Sequence, residues 1–364
     1  MLAAISANAG EELDQSVHDD TVLAALLHDV GHGPFSHSFE DILRGIDVPF
    51  DHERLGVRLL TESEGGFFST LERGSPGRAG RIVKFIDKEK REQSNWTYAL
   101  VSSQLDADRL DYVRRDAAAA GVTNHQPDIA RLIDNLSLAD GRIVVDERAV
   151  DVVESFLLAL DHMYERVYFH KAVRGAAVLV SAVIRCAAKA NDDVLEDVPL
   201  RDLLQEGDRV ALSKYARVSD ATLWHYFDRW QDAGDRTLSY LASRLRRREL
   251  PKAFDLRGSA SQSTKLHQKA VELARDAIPG VDPDIVVCFD DLSRVNLKRR
   301  FVLSEGEADS ILIRPVHGQV HAIEERQRTI AKEIANKMYV DRLFVPQEIR
   351  SDLQRFADHE KIAL

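Results

Sequence analysis

The sequence predicts a mainly α-helical protein that closes on a small C-terminal α+β lobe, and three observations carry that prediction. Before Gly280, apolar residues recur at helical spacing in one stretch after another, as at Val22, Leu23, Leu26 and Leu27. These stretches are bounded by helix starts and stops, such as Asp51 ahead of Leu55, Leu59 and Leu60, or Gly121 after the run from Ser102. After Gly280 the composition changes and a series of strand-length apolar runs appears: Ile285 to Phe289, Ser310 to Val316 and Val320 to Ile323. A helix Ile323 to Met338 and a last strand near Tyr339 to Val345 follow.

The 364 residues suffice for one large or two ordinary domains with a substantial core. The expected division is 1–190, a helical extension over 191–280, and the lobe at 281–364. A net charge of -11 argues against a nucleic-acid-binding surface, although a local basic patch still attracts polyphosphate. Cys186 and Cys288 lie far apart and no secretory signal is recognisable, so a reduced, cytoplasmic setting is expected, with neither thiol catalytic. The most apolar stretch, Ala172 to Ala190, is broken by Arg174, Arg185 and Lys189 and falls short of a membrane span, so no membrane partner is expected. The Walker phosphate loop and the dinucleotide glycine fingerprint are both absent, so phosphate has to be held by side chains and metal.

The chemistry concentrates in Thr21 to Asp41. An apolar helix there ends at His28 and Asp29, and Gly31 and Gly33-Pro34 break it. The turn carries His32, and Ser36 is placed to cap a next helix that holds His37 in its first turn, with Phe39, Ile42 and Leu43 facing inward. An isolated histidine most often caps a helix end or sits hydrogen-bonded in a polar pocket. Three within ten residues, beside a carboxylate, suit a divalent cation such as Mn, Fe, Mg or Zn with nitrogen and oxygen donors.

The run His28-Asp29-Val30-Gly31-His32-Gly33-Pro34-Phe35-Ser36-His37-Ser38-Phe39-Glu40 resembles the signature of the HD-domain phosphohydrolases, in particular the deoxynucleoside triphosphate triphosphohydrolase branch. A second resemblance lies in Ser102 to Val122, read as one helix with Asp108, Tyr112 and Asp116 on one face; a solvated stripe among Arg109, Arg114 and Arg115 is the competing reading. By the resemblance, the fold is an HD-domain helical core and the metal ligands are His28, Asp29 and Asp108. Arg109 takes the place of a phosphate contact, Tyr112 packs on the sugar, and Asp116 holds the sugar end. A third match, Met163 to Lys171, implies that Tyr168 and Lys171 reach the nucleotide, against core packing and a solvated charge as alternatives.

The resemblance also implies a first metal-binding histidine on a helix farther upstream than the 27 residues ahead of His28. Met1 to Asn8 reads as the second half of a helix that begins without a cap, so a preceding segment is expected. His18 is the alternative ligand, although a polar loop ahead of the Thr21 helix is the simpler reading. In Val48 to Leu60, His52 and Glu53 fall in the first turn of a helix capped by Asp51, and the resemblance makes the pair a candidate for proton transfer; a surface pair is the alternative. Residues 61–80, with five glycines, read as a flexible loop. Asp140-Gly141 predicts a hairpin between Ile133 to Leu138 and Ile143 to Val145, and one long helical stretch follows from Ala149 to Ala190. Asp220 to Arg248 is helical, with Trp224, Phe227 and Trp230 placed in the core. The basic run Arg244 to Lys252 is either a solvated helix end or a regulatory nucleotide contact.

The implied reaction is hydrolysis of a deoxynucleoside triphosphate to the deoxynucleoside and inorganic triphosphate. His32, His37 and His52 offset charge on the triphosphate, and a regulatory nucleotide and a homo-oligomer are expected partners. Two readings compete: another nucleotide phosphohydrolase, such as a nucleotidase or phosphodiesterase, and a non-catalytic nucleotide-binding protein lacking the first histidine.

Overall fold

The computed structural model describes residues 1–62, 66–87, 95–122, 126–190, 194–196, 198–291, 310–336 and 339–364. Helix α1 (Leu2–Ala9) begins at Met1 without a side-chain cap and ends at Gly10, which takes the left-handed φ of 70°. Helix α2 (Gln15–Leu27) starts earlier than Thr21 because the Asp14 carboxylate caps it, accepting the Ser16 N–H. His18 therefore lies within α2 and not in a loop; its ring faces Asp19 at 3.2 Å. Next come α3 (His37–Arg44), α4 (His52–Thr61), α5 (Phe67–Gly74) and α6 (Arg78–Ile86).

The last two helices replace the loop expected at 61–80. Gly66 and Gly77 sit at helix starts with φ of 77° and 76°, and the Glu72 carboxylate accepts the N–H groups of Gly77 and Ala79. Here the glycines mark helix boundaries rather than a long irregular segment.

Helix α7 (Ala107–Ala119) starts five residues later than Ser102, where Asp106 caps it by accepting the Arg109 N–H at 2.7 Å; Gly121 stops it with φ 70°. Helix α8 (Ile129–Asp134) takes in Ile133, so the hairpin is shorter than expected. Its strands are β1 (Leu136–Ala139) and β2 (Arg142–Asp146), turned by Asp140 and Gly141 at φ 50° and 71°. The stretch from Ala149 is not one helix: α9 (Val150–Met163) runs into a π turn at Tyr164–Tyr168, and α10 (Lys171–Lys189) restarts with His170 as its cap. Helices α11 (Val198–Glu206), α12 (Leu212–Tyr215), α13 (Asp220–Arg229) and α14 (Arg236–Arg246) follow. The chain ends with β3 (Lys252–Asp255), α15 (Ala260–Ala277), α16 (Pro283–Val286), β4 (Cys288–Asp290), β5 (Leu312–Arg314), β6 (His321–Ala322), α17 (Ile330–Asn336), β7 (Arg342–Val345) and α18 (Arg350–His359).

The chain divides into two compact units. One holds Met1–Gly31, Gly56–Tyr168 and Asn296–Met338. Its core gathers Ala24, Leu60, Leu71, Ile82, Val83, Phe85 and Tyr98, and its sheet runs β1-β2-β5-β6, with β5 parallel to β2 and the other neighbours antiparallel. The other unit holds His32–Leu55, Phe169–Val295 and Tyr339–Leu364, with an antiparallel sheet β3-β7-β4 in which Leu343, Phe344 and Val345 are fully buried. The C-terminal strands thus divide between the two sheets. No single helix among the described residues is long and apolar enough to cross a membrane.

Within the second unit, Gly207 has φ 61°, and a Cβ there would lie 1.9 Å from the Pro49 carbonyl oxygen, which accepts the Asp208 N–H at 3.1 Å. Gly207→Ala is therefore expected to destabilise the protein by ~1–2 kcal/mol from backbone conformation alone, and more from the clash. Denaturant unfolding measures this, and an unchanged midpoint would show that the 206–210 turn shifts freely.

Candidate active site

His28 follows α2 directly, and its Nδ1 lies 2.9 Å from the Ala25 carbonyl oxygen. A carbonyl only accepts, so Nδ1 carries the proton and Nε2 presents a lone pair. That Nε2 faces Asp29 Oδ1 at 3.3 Å. Asp108, in the first turn of α7, is a half-buried carboxylate: burial raises its pKa, His28 pulls it down, and Asp29 and Asp111 push it up. Asp108 thus lies within the electrostatic reach of His28 and Asp29, which face one another at 3.3 Å.

The three residues expected around the sugar also meet within the first unit. Tyr168 donates to Asp116 at 2.7 Å and stands edge-on to Tyr112 at 6.4 Å and to Tyr164 at 5.2 Å. Burial, joined by the Asp116 hydrogen bond, pushes the Tyr168 hydroxyl far above its ordinary pKa. Burial and Tyr164 do the same for Tyr112, so both remain donors. Arg109 donates to Gln104 at 3.1 Å and lies 3.5 Å from Asp106.

In the second unit, the reversal from His32 to α3 is sharp. Gly33 has no room for a side chain, since a Cβ would meet the Phe39 ring at 2.8 Å. Phe35 and Ser36 both take positive φ, 58° and 53°, which side-chain-bearing residues rarely adopt. Ser36 occupies the expected cap position, but its hydroxyl makes no capping bond. Two contacts hold the turn: the Phe35 N–H donates to Asp220 at 2.9 Å, and the Tyr215 hydroxyl donates to the His32 carbonyl at 2.5 Å. The Phe35 ring stacks on Phe227 and meets Trp224 edge-on; Trp224, expected in the core, is 39% exposed.

This turn gathers three histidines. The rings of His32 and His52 stack with centroids 3.9 Å apart, and His37 crosses His32 at 4.4 Å and His52 at 5.4 Å. His52 Nδ1 lies 2.8 Å from Glu40 Oε2, and Arg44 lies 3.2 Å from the other Glu40 oxygen. Burial alone would raise the Glu40 pKa, but the His52 hydrogen bond and the charges of His52, Arg44 and His37 bring it below the ordinary value. Glu53 opens α4 partly buried, its N–H on Asp51; the carboxylate placed against His52 is Glu40. Lys171 pairs with Asp255 at 2.8 Å.

Sequence reasoning assigned no role to Glu40, Tyr215 or Asp220. Glu40 carried a signal, since it stands three residues after His37 on one helix face. The other two carried none, because their partners lie 183 and 185 residues away.

Residues 1–88 match the HD domain and residues 127–282 the HD associated region. The chain is thus an HD-domain protein. It is 29% identical over 344 residues to the protein YwfO of Bacillus subtilis, covering 94% of this chain and 76% of that one. It is 25% identical over 170 residues to a deoxynucleoside triphosphate triphosphohydrolase SAMHD1 homolog of Dictyostelium discoideum, covering 44% of this chain and 32% of that one. In three dimensions it resembles the crystal structure of a phosphohydrolase from Bacteroides thetaiotaomicron, with a TM-score of 0.74 and 23% identity, covering 95% of this chain and 84% of that one.

Asp220→Ala removes the acceptor of the Phe35 N–H and is expected to cost about 1 kcal/mol and to speed amide exchange at Phe35. Unaltered exchange would show that the Phe227 contact alone holds the turn.

Proposed function

We propose that this HD-domain protein is a metal-dependent phosphohydrolase of nucleotides, and that its reaction converts a deoxynucleoside triphosphate and water into a deoxynucleoside and inorganic triphosphate. The observation that carries the reading is the His28 lone pair facing Asp29 beside the half-buried Asp108, a donor set of one nitrogen and carboxylate oxygens that suits Mn, Mg, Fe or Zn. The HD domain, the phosphohydrolase named for the Bacteroides structure and the triphosphohydrolase named for the Dictyostelium relative support it.

A divalent ion held by His28, Asp29 and Asp108 would supply Lewis-acid polarisation of a phosphoryl oxygen and a more acidic water. The chain's own residues supply the rest. His32 and His37 offset phosphate charge through imidazole N–H groups. His52 keeps its Nδ1–H on Glu40, which leaves Nε2 to give or take a proton and lets the carboxylate stabilise the charge that results. Glu53 follows His52 at the start of α4, and the same reading keeps it as a second carboxylate for proton transfer. Arg109 and Lys171 bind phosphate on leaving Asp106 and Asp255, and Tyr112, Asp116 and Tyr168 hold the sugar. Water attacks the α-phosphorus and the bond from that phosphorus to the sugar O5′ breaks, so the deoxynucleoside leaves with a proton on O5′ and the three phosphates stay joined. A homo-oligomer and a regulatory nucleotide belong to the same reading; Arg236, Arg244 and Arg247 line a pocket of about 330 Å³ that suits a polyphosphate.

The test is incubation with mixed deoxynucleoside triphosphates and Mn²⁺, with products resolved by ion exchange. Deoxynucleoside plus intact triphosphate is the expected result. Release of orthophosphate or pyrophosphate would move the assignment to another phosphohydrolase class, and binding without turnover would move it to a nucleotide-binding protein. Asp108→Ala is expected to abolish turnover with an unchanged circular dichroism spectrum; turnover near the wild-type rate would sink the ligand assignment.

A further inference from the structure

We infer that the groove beside α14, built wholly within the second unit, is a site for a linear triphosphate chain, gripped by Arg236, Ser243 and Arg247 and recognised without regard to any base. Arg236, Ser243, Arg244 and Arg247 lie along one stripe of α14 and its C-terminal end. Together with Ile278 and Val281 they line a cavity of about 330 Å³. That volume falls at the small end of the roughly 300–1,000 Å³ usual for ligand sites. None of these residues is among the catalytic and metal-binding groups described above.

The donors differ in what they already hold. Arg244 donates to Glu249 at 2.8 Å and pairs with Glu348. Arg236 and Arg247 are exposed, and among the described residues neither pairs with a carboxylate. The Ser243 hydroxyl is equally uncommitted among those residues. Two acids flank Arg236, but both are turned to helix starts: Asp235 accepts the Leu238 N–H at 2.8 Å and Asp282 the Asp284 N–H at 3.0 Å. Glu249 is the carboxylate lining the groove, so three guanidiniums meet one carboxylate in a chain of net charge -11. Such a local excess draws an anion. The backbone seats Arg236: Gly280 has φ 81°, and a Cβ there would lie 2.7 Å from Arg236 Cδ. The Asp282 N–H donates to Thr237 Oγ1 at 2.9 Å, which ties that turn to α14.

Spacing sets the shape of the ligand. Arg247 follows Arg236 by 11 residues, a rise of about 16 Å along the helix. A chain of linked phosphates bridges that interval more readily than a single phosphoryl group, and it offers each guanidinium a pair of oxygens. The Tyr240 ring, which also lines the groove, is engaged already: Arg244 lies 4.9 Å over it, and its hydroxyl donates to Glu348 at 3.3 Å. The groove thus presents charge and a hydroxyl in place of an open stacking face. The choice of triphosphate rests on the proposed reaction, which releases it, so the ligand is the reaction's own product.

The test is calorimetric titration of the full chain with inorganic triphosphate, at low salt and in chelator. The double variant Arg236→Ala/Arg247→Ala is expected to bind roughly tenfold more weakly or worse. Glu249→Gln, which removes the opposing carboxylate, is expected to bind about threefold more tightly. Both variants keep the catalytic residues, so any binding there is common to all three proteins. Deoxynucleoside triphosphates of every base are expected to compete for the site, and deoxynucleosides are not. Unchanged affinity in the double variant overturns the inference. So does orthophosphate binding as tightly as triphosphate, which marks an unspecific basic patch, or a deoxynucleoside triphosphate that inorganic triphosphate fails to displace. Should the double variant fail to fold by circular dichroism, Arg247→Glu serves in its place with the same two outcomes. The titration needs no turnover, so a different product in the hydrolysis assay would correct the reaction and leave this binding result standing.

Discussion

The strained reversal between Gly31 and His37 is the constraint on which the histidine cluster depends. Two consecutive residues with side chains, Phe35 and Ser36, sit at positive φ, at a cost of about 1–3 kcal/mol each. That cost is offset by contacts made far along the chain: Asp220 on the Phe35 N–H, Tyr215 on the His32 carbonyl, and Phe227 under the Phe35 ring. Gly33 completes the constraint, because the Phe39 ring occupies the space that a Cβ would need. With the turn fixed, His32 at its start and His37 at its end are brought edge to face. Held less tightly, the same residues would sample separate positions.

This dependence explains which features were legible in the sequence. The end of α2 at His28, the Asp140-Gly141 hairpin and the Gly121 stop follow from residues within one turn of the event, and local chemistry is readable from a local window. The 61–80 stretch misled because glycine marks helix starts as well as loops: Gly66 and Gly77 sit at helix N-termini, and Glu72 caps the second helix from outside its range. The break at Phe169 and His170 was invisible for another reason. The composition there is that of a helix, and the structure spends those residues on other contacts: His170 caps α10, and the Phe169 carbonyl accepts from Arg342, 173 residues away. Strand order was equally out of reach, since Val144 of β2 pairs with Leu312 of β5, nearly half the chain away.

The candidate site divides along the same line. The motifs His28 to Glu40 and Ser102 to Val122 are compact in sequence, so their residue types could be weighed together. Their partners could not. Tyr168 meets Asp116 across 52 residues, and Glu40 meets His52 across 12 because the chain turns back between α3 and α4. In the sequence Glu53 is the nearer carboxylate to His52, and proximity along the chain favoured it. In space Glu40 holds Nδ1, because a residue opening a helix and the residue after it point to different sides.

His28 and His52 differ in what holds their rings. Both have Nδ1 engaged, His28 by the Ala25 carbonyl and His52 by the Glu40 carboxylate. A neutral carbonyl fixes the ring orientation and leaves Nε2 a lone pair for a ligand to use. A carboxylate does that and also favours positive charge on the ring.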